Sequence, residues 1–166
     1  MVEVRAATYD DLPRVAAIYA PYVTDTVITF ELDVPVLAEW RQRYDAVVGA
    51  GLPFLVAEDE GDVVGYSYLA PWKTRPAYRQ TAEDSVYLDP DARGRGTGGE
   101  LLDRLLDAAR AVGVREVLAV IADTGSDVSV RLHRSRGFRD AGRLEQVGFK
   151  LDRWVDTVIL QRSLGG

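Results

Sequence analysis

The sequence predicts an α/β (α+β) fold: one mixed, mostly antiparallel sheet of about six to seven strands flanked by about four helices. Three observations carry this expectation. The chain has 166 residues, 47% of them hydrophobic, which suffices for one packed core and is short for two. Residues 1–166 therefore read as a single domain. The hydrophobic pattern switches repeatedly between helical and extended periodicity, in the order β-α-α-β-β-β-α-β-α-β-β. No repeat, linker or low-complexity stretch separates these segments, so they belong around one sheet.

Each element has its own signal. Val2–Ala6 reads as a short strand. Thr8-x-x-Asp11 resembles a capping box, and Pro13 is tolerated in the first turn of the helix that follows, whose apolar face is Val15, Ile18, Tyr19 and Tyr22. A second helix is expected to start near Asp33 and Pro35. It carries Leu37, Trp40, Tyr44, Val47 and Val48 at helical spacing and stops at Gly49-Ala50-Gly51. Pro53–Glu58 and Asp62–Leu69 flank Asp59-Glu60-Gly61 as a hairpin. Glu83–Leu88 is another strand, ended by Asp89-Pro90. Leu101, Leu102, Leu105, Leu106 and Ala109 stripe an amphipathic helix closed by Gly113. Val117–Ile121 is almost uninterruptedly apolar, which predicts a strand buried on both faces. Ser129–Arg136 is a short helix with Gly137 as its C-terminal cap. Two strands follow between Arg143 and Leu164, the last being Trp154–Arg162.

Composition narrows the function. A net charge of −6 argues against nucleic acid as the main partner. The absence of cysteine excludes disulfides, thiolate metal sites and a covalent cysteine intermediate. His133 is the sole histidine, so a histidine-rich metal site is excluded and no metal is expected. No apolar run has the length of a signal peptide or membrane span, which fits a cytoplasmic protein.

The segment with chemistry in it is Arg93-Gly94-Arg95-Gly96-Thr97-Gly98-Gly99, between a strand and the leucine-striped helix. Its glycines let the backbone turn tightly and bring several amides to one point. At a helix start, unpaired amides and the positive end of the helix dipole converge there, an arrangement that binds phosphate or pyrophosphate. Arg93 and Arg95 add charge to it. Gly94-x-Gly96-x-x-Gly99 also matches the dinucleotide fingerprint, with Asp123 about where a ribose-binding acid falls, so an NAD(P)-dependent oxidoreductase is an alternative. Against it, Asp89–Arg93 separates the strand from the fingerprint, and what precedes is not an alternating βαβ pattern.

Arg93-x-x-Gly96-x-Gly98 resembles the (Arg/Gln)-x-x-Gly-x-(Gly/Ala) motif of the GNAT superfamily of N-acetyltransferases. Further stretches are similar to its phosphinothricin and methionine sulfoximine acetyltransferase branch: Ala70-Pro71-Trp72-Lys73-x-Arg75-x-Ala77-Tyr78, Glu83–Leu88, Ser129–His133, and Gly148-Phe149-Lys150 followed by Trp154-x-Asp156. The resemblance implies acetyl-CoA as co-substrate and the α-amino group of a small amino-acid analogue as acceptor, in enzymes that are commonly homodimers. It implies that amides of residues 94–99 cradle the pyrophosphate and that Val86, Tyr87 and Leu88 line the pantetheine arm. The backbone of Val86 and Leu88 would pair with that arm like an added strand, the Leu88 amide polarising the thioester carbonyl. It maps the catalytic roles onto Glu83 and His133, both in proton transfer. Arg75, with Lys73 and Tyr78, is the expected grip on the substrate's anionic group, Phe30 an apolar wall, and Ser85 a further contact. Ser126 stands where relatives often carry an asparagine that touches the coenzyme. Phe138 lacks the hydroxyl of the tyrosine acid many members use. A non-catalytic acyl-CoA-binding module is the remaining alternative.

Overall fold

Residues 1–165 are described by a computed structural model, in which seven strands form one sheet. The strands are β1 (Val2–Ala6), β2 (Phe54–Asp59), β3 (Asp62–Pro71), β4 (Thr81–Leu88), β5 (Glu116–Ala122), β6 (Arg139–Lys150) and β7 (Arg153–Ser163), in the spatial order β1-β2-β3-β4-β5-β7-β6. The helices are α1 (Leu12–Asp25), α2 (Leu37–Gly49), α3 (Thr97–Ala111) and α4 (Val128–Ser135). Every adjacent pair is antiparallel except β4 and β5. The fold class and the element order expected from the sequence are those observed.

Two cores sandwich the sheet. On one face, Val15, Ile18 and Tyr19 of α1 and Trp40 and Val47 of α2 pack on Phe54, Val56 and Tyr66. On the other, Leu102, Leu105, Leu106 and Ala109 of α3 pack on Leu69, Ala82, Val117, Ala119 and Leu160. Successive strand residues serve opposite faces, which is why Tyr66 and Leu69 belong to different cores. Each fully buried leucine of α3 contributes about 1.5–3 kcal/mol by leaving water, so this helix is fixed firmly beneath the glycine loop.

Local signals behave as their chemistry requires. The capping box forms: the Thr8 amide donates to Asp11 Oδ2 at 2.8 Å. The β2–β3 hairpin turns through Glu60 and Gly61, whose φ values of 51° and 89° are those of a two-residue primed turn. Three expectations need correction. α2 begins at Leu37 and not near Asp33, with Val36 as an extended N-cap, because Pro35 holds the residue before it in extended backbone. The penultimate strand begins at Arg139, four residues before the expected Arg143. β5 is not buried on both faces: Val117 and Ala119 pack into the α3 core, while Val120 on the opposite face is 36% exposed.

The junction of β4 and β5 positions the site. The two strands pair only through Thr81–Glu83 and Glu116–Leu118, and then part. The rest of β4 borders a wedge.

Candidate active site

Strand geometry dictates what faces the wedge. In the β3–β4 ladder the Trp72 amide donates to Thr81 O at 3.2 Å and the Asp89 amide to Val64 O at 2.8 Å. Between these ends the register runs without a bulge, so hydrogen-bonded pairs alternate with pairs whose polar groups point away. Tyr87, Ser85 and Glu83 bond to β3. Asp84, Val86 and Leu88 direct their N–H and C=O groups to the other side, where β5 parts from the strand just past Asp84. Two of them, Val86 and Leu88, are the residues expected to receive an extended ligand as an added strand. The Leu88 carbonyl accepts from the Tyr22 hydroxyl at 2.5 Å, leaving its amide as the open donor.

The glycine loop closes the wide end. Asp89 caps a short 3-10 turn over Pro90–Ala92 by accepting from the Asp91 amide at 3.0 Å. Gly94 and Gly96 take φ of 79° and 81°, a left-handed conformation that favours glycine. The Glu100 amide bonds Gly96 O at 3.1 Å, so the amides of Thr97, Gly98 and Gly99 precede the helical ladder and have no acceptor within it. The Thr97 hydroxyl is buried without a hydrogen-bond partner among the described residues. Arg93 and Arg95 add positive charge, and Arg95 is 63% exposed on its side chain, 3.8 Å from Asp59. Gly99 has a packing role as well, since a Cβ there would fall 2.2 Å from the Arg136 guanidinium, which is paired with Asp103. Open amides, an orphaned hydroxyl and two arginines at one helix start fit a phosphate or pyrophosphate.

The acids of β4 stand on opposite faces. Asp84 points toward α4, where its carboxylate lies 2.9 Å from His133 Nε2, both side chains 4% exposed. His133 Nδ1 lies 2.8 Å from Ser129 O. A carbonyl and a carboxylate only accept, so the doubly protonated imidazolium satisfies both contacts. Burial opposes that charge, and the Asp84 carboxylate and Ser129 carbonyl more than offset it, so the net pKa of His133 is raised. Glu83 points the other way, half-buried beneath the α1–α2 side. Burial pushes its carboxyl above the usual range, Asp84 adds to the rise and Lys73 opposes it. The structure therefore does not bring Glu83 and His133 together, and both ring nitrogens of His133 are engaged. Asp84, which the sequence reading left without a role, is the partner of His133. The alternation of adjacent acids along a strand is the signal that could have found it.

The residues expected to hold substrate fall on several separate segments. Ser85 is the cross-strand neighbour of Tyr68 on β3. Phe30 packs against Gly148, where a Cβ would come within 2.4 Å of its ring, and Lys150 Nζ donates to Thr29 O at 2.7 Å. These two contacts tie the α1–α2 connection to β6. Lys73 sits 4.8 Å from the Trp72 ring centre, while Arg75 and Tyr78 are on the exposed 72–80 excursion between β3 and β4. Ser126 lies in a groove of about 590 Å³ between α4 and the β6–β7 hairpin, lined also by Asp123, Arg134 and Arg143 and by no residue of the glycine loop. Asp123 is bound by Arg143 at 2.6 Å, and the sheet has a single, three-residue parallel pairing. Neither matches a dinucleotide-binding βαβ sheet with a free ribose-binding acid.

Comparison with known proteins gives this geometry a family. The family model described as Acetyltransferase (GNAT) family matches residues 14–138. The chain belongs to the GNAT family. Among its relatives, this GNAT chain is 45% identical to a phosphinothricin N-acetyltransferase of Alcaligenes faecalis, over 97% of the chain and 82% of the relative. It is 39% identical to an L-methionine sulfoximine/L-methionine sulfone acetyltransferase of Pseudomonas paraeruginosa, over 97% and 94%. A solved phosphinothricin acetyltransferase from Sinorhizobium meliloti, in complex with AcCoA, superposes with a TM-score of 0.95 at 41% identity, covering 99% of this chain and 89% of that one. The GNAT chain is thus an acetyltransferase, and no helix among its described residues is long and apolar enough to cross a membrane.

Proposed function

We propose that this enzyme moves the acetyl group of acetyl-CoA to the α-amino group of a small amino-acid-like substrate of the phosphinothricin, methionine sulfoximine or methionine sulfone type. The observation that carries the reading is the wedge: unpaired backbone of Val86 and Leu88 leads into a loop built for pyrophosphate, with a half-buried carboxylate on the neighbouring face. The pantetheine arm would lie along Val86–Leu88 and the pyrophosphate on the amides of 94–99, with Thr97, Arg93 and Arg95 around it. Acetyl-CoA supplies the activated acyl group. Glu83 accepts the proton of the substrate ammonium, directly or through one water, so that the nitrogen can attack. The Leu88 amide donates to the carbonyl oxygen as charge develops there. Collapse forms the amide C–N bond and breaks the thioester C–S bond, and the departing CoA thiolate takes up the proton the attacking nitrogen sheds, directly or through water. His133 holds its proton against Asp84 on the far face and keeps α4 seated on β4.

Two relatives named for these amino-acid analogues support the acceptor class, as does the cationic Lys73, whose charge acts on Glu83. With acetyl-CoA and a panel of amino-acid analogues, thiol release is expected to be fastest for phosphinothricin or for methionine sulfoximine and sulfone. Binding of acetyl-CoA without acetylation of any amine in the panel would overturn the reading in favour of a non-catalytic module.

The active form is proposed to be a homodimer. Phe149, Leu151 and Trp154 are 53%, 53% and 61% exposed at the β6–β7 end of the sheet, with the rings of Phe149 and Trp154 4.9 Å apart. A second copy would bury this edge. Light scattering is expected to give twice the chain mass, falling to one in Trp154→Glu, and a monomeric wild type refutes the dimer.

A further inference from the structure

We propose that Tyr22 is a positioning residue for the cofactor, coupling the open end of β4 to the glycine loop; this rests on the reading of the wedge as an acetyl-CoA site. Tyr22 lies in α1 among Val15, Ile18 and Tyr19, and is itself 5% exposed. Its ring packs against Tyr87 of β4 at 5.2 Å. Packing alone would be served as well by phenylalanine. The hydroxyl does something else.

That hydroxyl donates to Leu88 O at 2.5 Å and accepts from Arg93 Nη2 at 2.9 Å. A phenol carries one hydrogen and accepts through lone pairs, so both bonds form at once. The Arg93 guanidinium also lies 5.5 Å from the centre of the Tyr22 ring, within cation–π range. One side chain of α1 thereby holds the last residue of β4 and the first residue of the loop.

The consequence is geometric. Past Glu83, β4 has no neighbour on its wedge side, so the polar groups there lack the ladder that normally fixes a strand. The peptide between Leu88 and Asp89 is pinned from both sides instead. Its N–H, on Asp89, bonds Val64 O at 2.8 Å, and its C=O, on Leu88, is held by Tyr22. This fixes the end of β4 next to the open Leu88 amide. The same hydroxyl fixes Arg93, and with it the entry to Gly94–Gly99. The thioester end and the phosphate end of the site are set relative to each other before ligand arrives, so less ordering is required on binding.

The test is equilibrium binding of acetyl-CoA by calorimetry, with steady-state kinetics for both substrates, on wild type, Tyr22→Phe, Arg93→Ala and the double variant. Tyr22→Phe is expected to raise the acetyl-CoA Kd by about 5–20-fold, as for the loss of one to two net hydrogen bonds. The amine KM should stay within about twofold, since Glu83 and the substrate face are untouched. Losses in Tyr22→Phe and Arg93→Ala should be non-additive, because the two side chains share one bond. A merely structural tyrosine would lower Tm and leave Kd and the KM split alone. That result, or losses that simply multiply, overturns the assignment while leaving the acetyl-CoA reading intact. A wild type that binds no acetyl-CoA overturns both.

Discussion

Glu83→Gln is expected to lower kcat by about 10²–10⁴-fold while leaving the acetyl-CoA Kd unchanged, the range a positioned general base contributes. The amide is nearly isosteric with the carboxyl and cannot take the ammonium proton. The wedge and the glycine loop lie on the backbone side of β4 and need no Glu83 side chain. The pH profile carries the second half of the argument. Burial, with a smaller contribution from Asp84, raises the Glu83 carboxyl above its ordinary 4.5, and Lys73 only partly opposes this. The acid limb of kcat/KM should therefore fall above that ordinary value, and it should vanish in the variant's residual rate. Stability moves in the opposite sense from activity. A carboxyl whose folded pKa is raised stabilises the fold only while protonated, and that contribution is lost as pH climbs through the raised value. At neutral pH the ionised, half-buried carboxylate is a cost, and glutamine removes it. The Tm of Glu83→Gln at pH 7 is expected to equal or exceed that of wild type, which separates lost chemistry from lost folding. Wild-type turnover in this variant would remove Glu83 from the mechanism.

Much of this was legible in the sequence, for reasons that differ by residue. The capping box at Thr8 and the Glu60-Gly61 turn are local chemistry, and each forms where its residues stand. The glycine loop was legible because left-handed backbone favours glycine at Gly94 and Gly96. The wedge was not, because nothing local tells Val86 and Leu88 that their neighbouring strand leaves after three paired residues. For the same reason β5 read as doubly buried although Val120 faces open space. Tyr22 looked like one more member of an apolar stripe, and its hydroxyl acquires partners only across 66 and 71 positions of chain. Gly148 and Lys150 carried a family likeness without a role. In the fold they anchor Phe30 and Thr29, and so tie the α1–α2 connection to β6.

Asp84→Ala should be the most destabilising of the substitutions considered. Removing one partner of a buried ion pair costs about 3–5 kcal/mol, or roughly 6–20 °C in Tm at 2–4 °C per kcal/mol for a chain of this size. His133 would be left buried, with Ser129 O as the acceptor for one ring nitrogen and nothing for the other. The loss should depend on pH in a definite direction. In wild type the raised His133 pKa stabilises the fold fully below the unfolded value of about 6.5, and this contribution disappears as pH rises through the folded value. Without Asp84 only desolvation and one hydrogen bond remain, so the folded pKa drops and acid becomes destabilising. The stability gap between the two proteins, measured by denaturant unfolding between about pH 5 and pH 9, should widen toward acid and narrow toward alkali. Asp84→Asn separates charge from shape. Its amide can donate to a neutral Nε2 while Nδ1–H keeps Ser129 O, so most of the stability should return above pH about 6.5, with the pH dependence flattened. A gap that is the same at every pH would mean that His133 stays neutral beside the Asp84 carboxylate, the folded wild type then binding no more protons than the variant at any pH. The pair would then be holding α4 to β4 by hydrogen bonds alone, and His133 would carry no proton beyond its neutral complement.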